Sequence, residues 1–286
     1  MKFISYTTSA GPTWGVAVAN GVVPSSSLGG DFSISLIALI NDLARSPERA
    51  LLLANRVATA LPIPQEGLAL LPCVTHPGKI ICLGVNYADH AKEGGRTVGD
   101  YPSLFLRCAT SLAAHGAPIA VPSISHQLDF EAELAVVIGR SAKFVSEEDA
   151  LDHVFAYACF NDVTLRDYQR KTTQWTIGKN FDGTGGFGPV LVTPEELPPG
   201  CTGLRIQSRL NGQIMQDANT EDMVFGVAKT IALLSECVTL EPGDVLVMGT
   251  PGGVGYARTP PVWMKAGDTI EIEIEGVGIL SNTITA

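Results

Sequence analysis

The chain has 286 residues, 45% of them hydrophobic and 17% charged, with a formal net charge of −10. That is enough to bury a large core, as one big domain or a big one with a small one. The acidic balance and the lack of a Lys/Arg cluster argue against nucleic-acid binding, and no apolar run approaches the ~20 residues of a membrane span. Residues 1–15 carry one Lys and no apolar stretch, so no secretory signal is read there. Cysteines 73, 82, 108, 159, 201 and 237 form no C-x-x-C pair. They read as reduced thiols of a cytoplasmic protein, with neither a disulfide framework nor a zinc site.

Residues 1–75 read as a small α/β N-terminal domain and linker. A hairpin is expected over 14–23, with Asn20-Gly21 suited to a type I′ turn. Helices are expected over 35–44 and 47–60, the second capped by Ser46 with Pro47 at its first position. Pro62, Pro64, Pro72 and Pro77 then punctuate a linker, which places the boundary near 75 and leaves 76–286 as the catalytic domain.

From Lys79 the texture changes to short strands with Gly/Pro turns. A helix over 86–93 sets His90 and Glu93 three apart on one face. A carboxylate beside an imidazole orients it and raises its basicity, a general-base dyad; an ordinary exposed pair is the plain alternative. The polar, Gly-rich residues 94–100 have the character of a hinged flap. In 129–139, alternation puts Asp129, Glu131 and Glu133 on one face, ahead of a run apolar at every position. Carboxylates at the mouth of a buried strand must protonate or find a cation, and a hard divalent ion is the simplest partner. By contrast, 269–275 alternates Glu with Ile and reads as a solvent face.

A short helix is capped at Ser146, and a buried strand over 154–160 ends in Asn161-Asp162, where a third metal ligand would sit. Lys179, taken alone, reads as a surface residue. Residues 183–188 fit G-x-G-x-x-G, but no apolar strand precedes them and Pro189 follows, so a dinucleotide site is rejected. Asn211-Gly212 marks a second hairpin, and Thr220 is expected to cap a helix running through 237 with Val224, Val227, Ile231 and Leu234 as its core stripe. A strand over 245–248 leads into a Gly-rich loop, 249–255, whose N–H groups and Thr250 hydroxyl suit a small carboxylate. A hairpin over 269–283 closes the chain.

Five strings occur in the order of one family: Gly84-Val85-Asn86-Tyr87-x-x-His90-x-x-Glu93, Asp129-Phe130-Glu131-x-Glu133-Leu134, Asn161-Asp162-x-Thr164-x-Arg166-Asp167-x-Gln169, Trp175-Thr176-x-Gly178-Lys179 and Gly249-Thr250-Pro251-x-Gly253-Val254-Gly255. Over about 78–286 the chain resembles the fumarylacetoacetate hydrolase family, in its acylpyruvase-like branch. The resemblance implies an α+β, mostly β fold: a mixed β-roll with a small N-terminal domain, usually a homodimer. It implies a divalent metal, Mg²⁺ first with Mn²⁺ or Ca²⁺ behind it, held by Glu131, Glu133 and Asp162. It also implies His90 and Glu93 as a dyad on a lid, Lys179 as a catalytic cation, and Gln169 and Thr250 against the oxo-acid end of the substrate. Arg107 stands where the family often has Lys, and would grip a carboxylate as a planar fork.

The expected activity is metal-dependent C–C hydrolysis of acylpyruvate- or fumarylpyruvate-type 2,4-dioxo acids, with a metal-stabilised enolate and a His-activated water. An oxaloacetate-type decarboxylase or a 2-oxo-dienoate hydratase/isomerase is the enzymatic alternative, and a binding protein that has lost catalysis the other.

Overall fold

The computed structural model describes residues 1–95 and 97–286; residue 96, within the expected flap, lies outside the described residues. Apolar strands dominate because the chain's Val, Ile and Phe alternate in short runs between Gly and Pro turns. Two large sheets result. The larger has a nine-strand path, in the order Gly21–Pro24, Gly11–Val18, Lys2–Thr8, Gly185–Val192, Val154–Asp162, Ala132–Ile138, Val245–Val247, Ile80–Gly84, Ser103–Leu106, with two further short strands beside it. The smaller runs Gln213–Asn219, Arg205–Leu210, Thr269–Ile274, Gly278–Thr285, Ile119–Ala120. Most pairings are antiparallel, but Val245–Val247 runs parallel to Ile80–Gly84, so the sheet is mixed.

The strand Ala132–Ile138 lies centrally in the larger sheet and is buried at every position. Its even-numbered residues, Leu134, Val136 and Ile138, pack into a core shared with Ile206, Ile270, Ile272 and Ile274 of the smaller sheet. Ala135 and Val137 face the opposite core, which Phe3, Trp14, Leu39, Ile40 and Leu53 of the N-terminal segment fill. The continuous apolar run is therefore two alternating faces, each covered. The strand Lys2–Thr8 pairs with Gly185–Val192, so the N-terminal segment extends the same sheet.

The two early helices form as expected, over Leu36–Arg45 and Pro47–Thr59, with Ser35 and Ser46 accepting the N–H groups of Ala38 and Arg49. The first hairpin forms with a different turn. Val18 pairs with Gly21, so Ala19 and Asn20 are the central residues, and neither has a positive φ. Glycine is needed at 21, where φ is +135° and a Cβ would run into the Ile63 carbonyl. The Asn211-Gly212 turn does have both residues at positive φ, as type I′ requires. Residues 185–192 are a strand, not a helix start. No helix among the described residues is long and apolar enough to cross a membrane.

The helix expected from Thr220 is broken. Thr220–Asp222 is a single 3₁₀ turn capped by Asn219, and the α-helix begins only at Val227. Asn86 is the cause: its Nδ2 donates to the Phe225 carbonyl at 3.0 Å and its Oδ1 accepts the Phe225 N–H at 2.7 Å. That side chain takes the backbone groups a continuous helix would use. Val224 consequently points outward, at 40% exposure, instead of joining the stripe.

Candidate metal centre and cleft

Sheet register brings the acidic residues together. Ala132 pairs with Asn161, and Asp162 N donates to the Glu131 carbonyl at 3.0 Å, so Glu131 and Asp162 face each other across neighbouring strands. Glu133, two residues on, points to the same face. One carboxylate oxygen from each of Glu131, Glu133 and Asp162 lies within 4.8 Å of the others, and all three residues are buried. The expected alignment with Asp129 fails, because the strand is interrupted between Leu128–Asp129 and Ala132–Ile138. Asp129 instead accepts from Arg166 Nε at 2.8 Å and from the backbone of Gly255 and Tyr256.

Cations surround the triad. Lys179 is buried, not a surface residue: Nζ lies 2.5 Å from Glu131 and 2.6 Å from Asp162. It reaches them from the short helix Thr176–Lys179, whose Gly178 lies so close to the Gln169 backbone that no side chain fits there. Arg166 Nη1 is 2.6 Å from Glu131 and 3.1 Å from Gln169 Oε1, while its Nη2 is buried with no hydrogen bond. Arg107 donates to Asp162 at 2.5 Å and to Ser111 and Thr184, through a gap that Gly185 leaves open. It sits behind the triad and does not line the cleft, so a direct grip on a substrate carboxylate does not follow from its position.

These charges set the acidities. Burial opposes ionisation of Glu131, but Lys179 and Arg166 overcome it and hold the carboxyl well below the usual range. Burial, then repulsion from Asp162 and Glu131, pushes Glu133 well above it. Among the described residues it accepts one hydrogen bond, from the Gly249 N–H at 2.6 Å. For Lys179 burial favours the neutral amine, yet Asp162 and Glu131 outweigh it and keep the ammonium.

A small cleft, about 40 Å³, opens onto these groups. His90, Gln169, Arg170, Trp175, Thr250 and Tyr256 line it along with Glu131, Glu133, Arg166 and Lys179. His90 Nδ1 is 3.6 Å from Glu93 Oε2, neighbours rather than a hydrogen-bonded pair, and Glu93 is anchored by the Gly253 N–H at 2.7 Å. Val85, also in the wall, holds φ +62°, a strained conformation for a β-branched residue. The Gly-rich loop after 248 is occupied by the protein's own acids: its N–H groups bind Glu133, Glu93 and Asp129. The Thr250 hydroxyl donates to the Ala132 carbonyl at 2.9 Å and accepts from Gln216 at 2.8 Å.

The sequence reading gave no role to Arg166, Asn161 or Tyr256, and set Asp129 with the triad rather than with Arg166. Arg166 had a signal, its spacing of three from Gln169; Tyr256 had none. Asn161 matters because its Oδ1 accepts the Glu131 N–H at 3.1 Å where the ladder breaks.

Comparison with known proteins agrees with this geometry. A family model described as "Fumarylacetoacetate (FAA) hydrolase C-terminal" matches residues 79–285. The Xenopus laevis protein named "Oxaloacetate tautomerase fahd2, mitochondrial" is 44% identical over 222 residues, 77% of this chain and 69% of that one. The Homo sapiens "Oxaloacetate tautomerase FAHD2A, mitochondrial" is 38% identical over 280 residues, 96% of this chain and 88% of that one. The solved structure of a fumarylacetoacetate hydrolase from Exiguobacterium antarcticum superposes with a TM-score of 0.85 at 33% identity, covering 100% of this chain and 99% of its own. The chain is an enzyme of the fumarylacetoacetate hydrolase family, with that family's mostly β fold and a buried acidic triad suited to a metal ion.

Proposed function

We propose that this enzyme enolises a 2-oxo diacid of the oxaloacetate class at a divalent metal, with keto–enol interconversion as the outcome. The buried triad is the observation that carries the chemistry. Three carboxylates are hard oxygen donors that suit Mg²⁺ first, then Mn²⁺ or Ca²⁺. The charge balance fits. Among the described residues, Asp129, Glu131, Glu133 and Asp162 stand against Arg107, Arg166 and Lys179, so with a dication added even four ionised carboxylates leave a net positive centre that attracts an anion. When bound, such an ion supplies Lewis-acid polarisation of the substrate's ketone oxygen.

The chain's residues supply the rest. Lys179 stays protonated, so it places positive charge beside the oxygen on which negative charge develops and does not act as the base. His90, in the cleft wall with its buried Nδ1 turned toward Glu93 at 3.6 Å, takes the proton from C3 on its other ring nitrogen, Nε2. The C–H electron pair becomes the C2–C3 double bond, the C2=O π pair moves onto the oxygen, and the proton held by His90, or one from water, is delivered there to complete the enol. Gln169, which shares Arg166 with Glu131, borders the space a 2-oxo acid would fill.

Hydrolysis, first in the sequence reading, becomes the second reading because the Xenopus laevis and Homo sapiens relatives, at 44% and 38% identity, are named as oxaloacetate tautomerases. Its support is the His90–Glu93 arrangement, which could equally activate a water against an acylpyruvate. The test is purified protein with Mg²⁺, following oxaloacetate enol absorbance and pyruvate release from acylpyruvates, each with and without EDTA. EDTA-sensitive interconversion supports the proposal; pyruvate plus an organic acid moves the assignment to hydrolase; neither removes both. Replacing His90 with Ala should slow the turnover at least 10²-fold with Mn²⁺ binding retained. Two further expectations belong to this proposal: a homodimer, and residues 1–75 as a unit that contributes no residue to the cleft wall.

A further inference from the structure

We propose that Arg170 selects a diacid by pairing with its distal carboxylate; the inference rests on the 2-oxo acid reading of the cleft. Besides His90, the cations lining the cleft among the described residues are Arg166, Lys179 and Arg170. Lys179 is committed to Glu131 and Asp162, and Arg166 to Asp129, Glu131 and Gln169. The Arg170 guanidinium has no hydrogen bond or ion pair among the described residues. Its contact is with an aromatic face: it lies 4.7 Å from the centroid of Tyr256, and the Arg166 guanidinium lies 4.4 Å from the same ring.

The local chain explains this placement. Arg170 follows the short helix Arg166–Gln169, and its N–H donates to the Arg166 carbonyl at 3.2 Å, so the two side chains four apart rise on one side. The Tyr256 face holds the guanidinium in place before any ligand arrives, and its exposed fork offers the two parallel donors that a carboxylate takes. The acidic triad serves the 2-oxo acid end. A second carboxylate two carbons away requires a cation not already neutralised, and within the described wall Arg170 is that group.

The experiment compares oxaloacetate with 2-oxobutanoate, which has a methyl where oxaloacetate has its distal carboxylate. Binding to the Mn²⁺-loaded protein is read by calorimetry, and C3 proton exchange in D₂O by NMR. The expected result is a wild-type preference for oxaloacetate in Kd that falls at least tenfold in Arg170→Met and is partly restored in Arg170→Lys. An unchanged preference in Arg170→Met makes Arg170 a surface cation and overturns the inference. Should Arg170→Met fail to load Mn²⁺, Arg170→Lys carries the test: it must still lower the preference, since an ammonium lacks the fork, and an unaltered ratio overturns the inference. An Arg170-dependent preference in binding without C3 exchange keeps the inference and discards the tautomerase reading. Exchange of both acids regardless of residue 170 does the reverse.

Discussion

At the scale of single residues, the centre is a problem of buried charge. Glu131 and Glu133 lie within 4.8 Å of each other and of Asp162, and it is Lys179, with Arg166, that lets Glu131 stay charged despite its burial. Removing one partner of a buried ion pair costs roughly 3–5 kcal/mol. Lys179→Met should therefore destabilise the metal-free protein by an amount of that order. Mg²⁺, binding only the folded state, should raise its melting temperature more than it raises that of the wild type; equal shifts in the two proteins would separate Lys179 from the metal site. A second residue sets a pH limit. Burial lowers the pKa of His115, whose Nδ1 accepts the Ser281 N–H at 3.1 Å and so must be unprotonated in the fold. The unfolded chain takes up that proton near the ordinary histidine value of about 6.5. Stability is thus complete above that pH and falls as pH drops through it. Denaturant midpoints across pH 5–8 should show a shallower acid loss in His115→Gln than in wild type.

At the scale of elements, backbone breaks shape the site. The strand interruption at Phe130-Glu131 turns Asp129 away from the triad and toward Arg166, and the interruption before Val227 belongs to Asn86. Asn86 also donates to the Met248 carbonyl at 2.7 Å, tying the strand end before the helix Ala88–Glu93 to the loop that holds Glu133. Leaving buried backbone groups unsatisfied costs about 1–3 kcal/mol each. Asn86→Ala should lower stability by at least about 2 kcal/mol and weaken Mn²⁺ binding through Gly249, although Asn86 is no ligand. Calorimetric melting together with a Mn²⁺ titration checks both effects, and intact metal affinity would confine Asn86 to a role in stability.

At the scale of the whole molecule, the sheet passes through the N-terminal segment. Phe3, Trp14, Leu28 and Leu53 cover the face of the larger sheet that also carries Ala135, Val137, Phe160 and Val247. A chain of residues 76–286 alone would expose that face and lose the ~25 cal/mol that burial contributes for each Å² of it. It should express insolubly or lose Mn²⁺ binding, whereas the full chain should melt in one transition. A soluble, metal-binding fragment would mark residues 1–75 as dispensable to the fold.

Sequence alone determined what depends on local spacing. Glu131 and Glu133 share a face because strand side chains alternate, Ser35 and Ser46 start helices because their hydroxyls accept orphaned N–H groups, and Asn211-Gly212 turns because both residues tolerate positive φ. The five ordered strings were sufficient to place the chain in its family. Tertiary structure decided what depends on register and burial. A lone lysine in sequence carries no sign that it will end between two carboxylates, and Arg107 gives none that it will lie behind Asp162. The loop after 248 looked open to a ligand until Glu133, Glu93 and Asp129 were seen to take its N–H groups. The physical reason is common to all three: charge and hydrogen-bond partners are chosen by proximity in space, across strands and loops far apart in the chain, where local pattern carries no information.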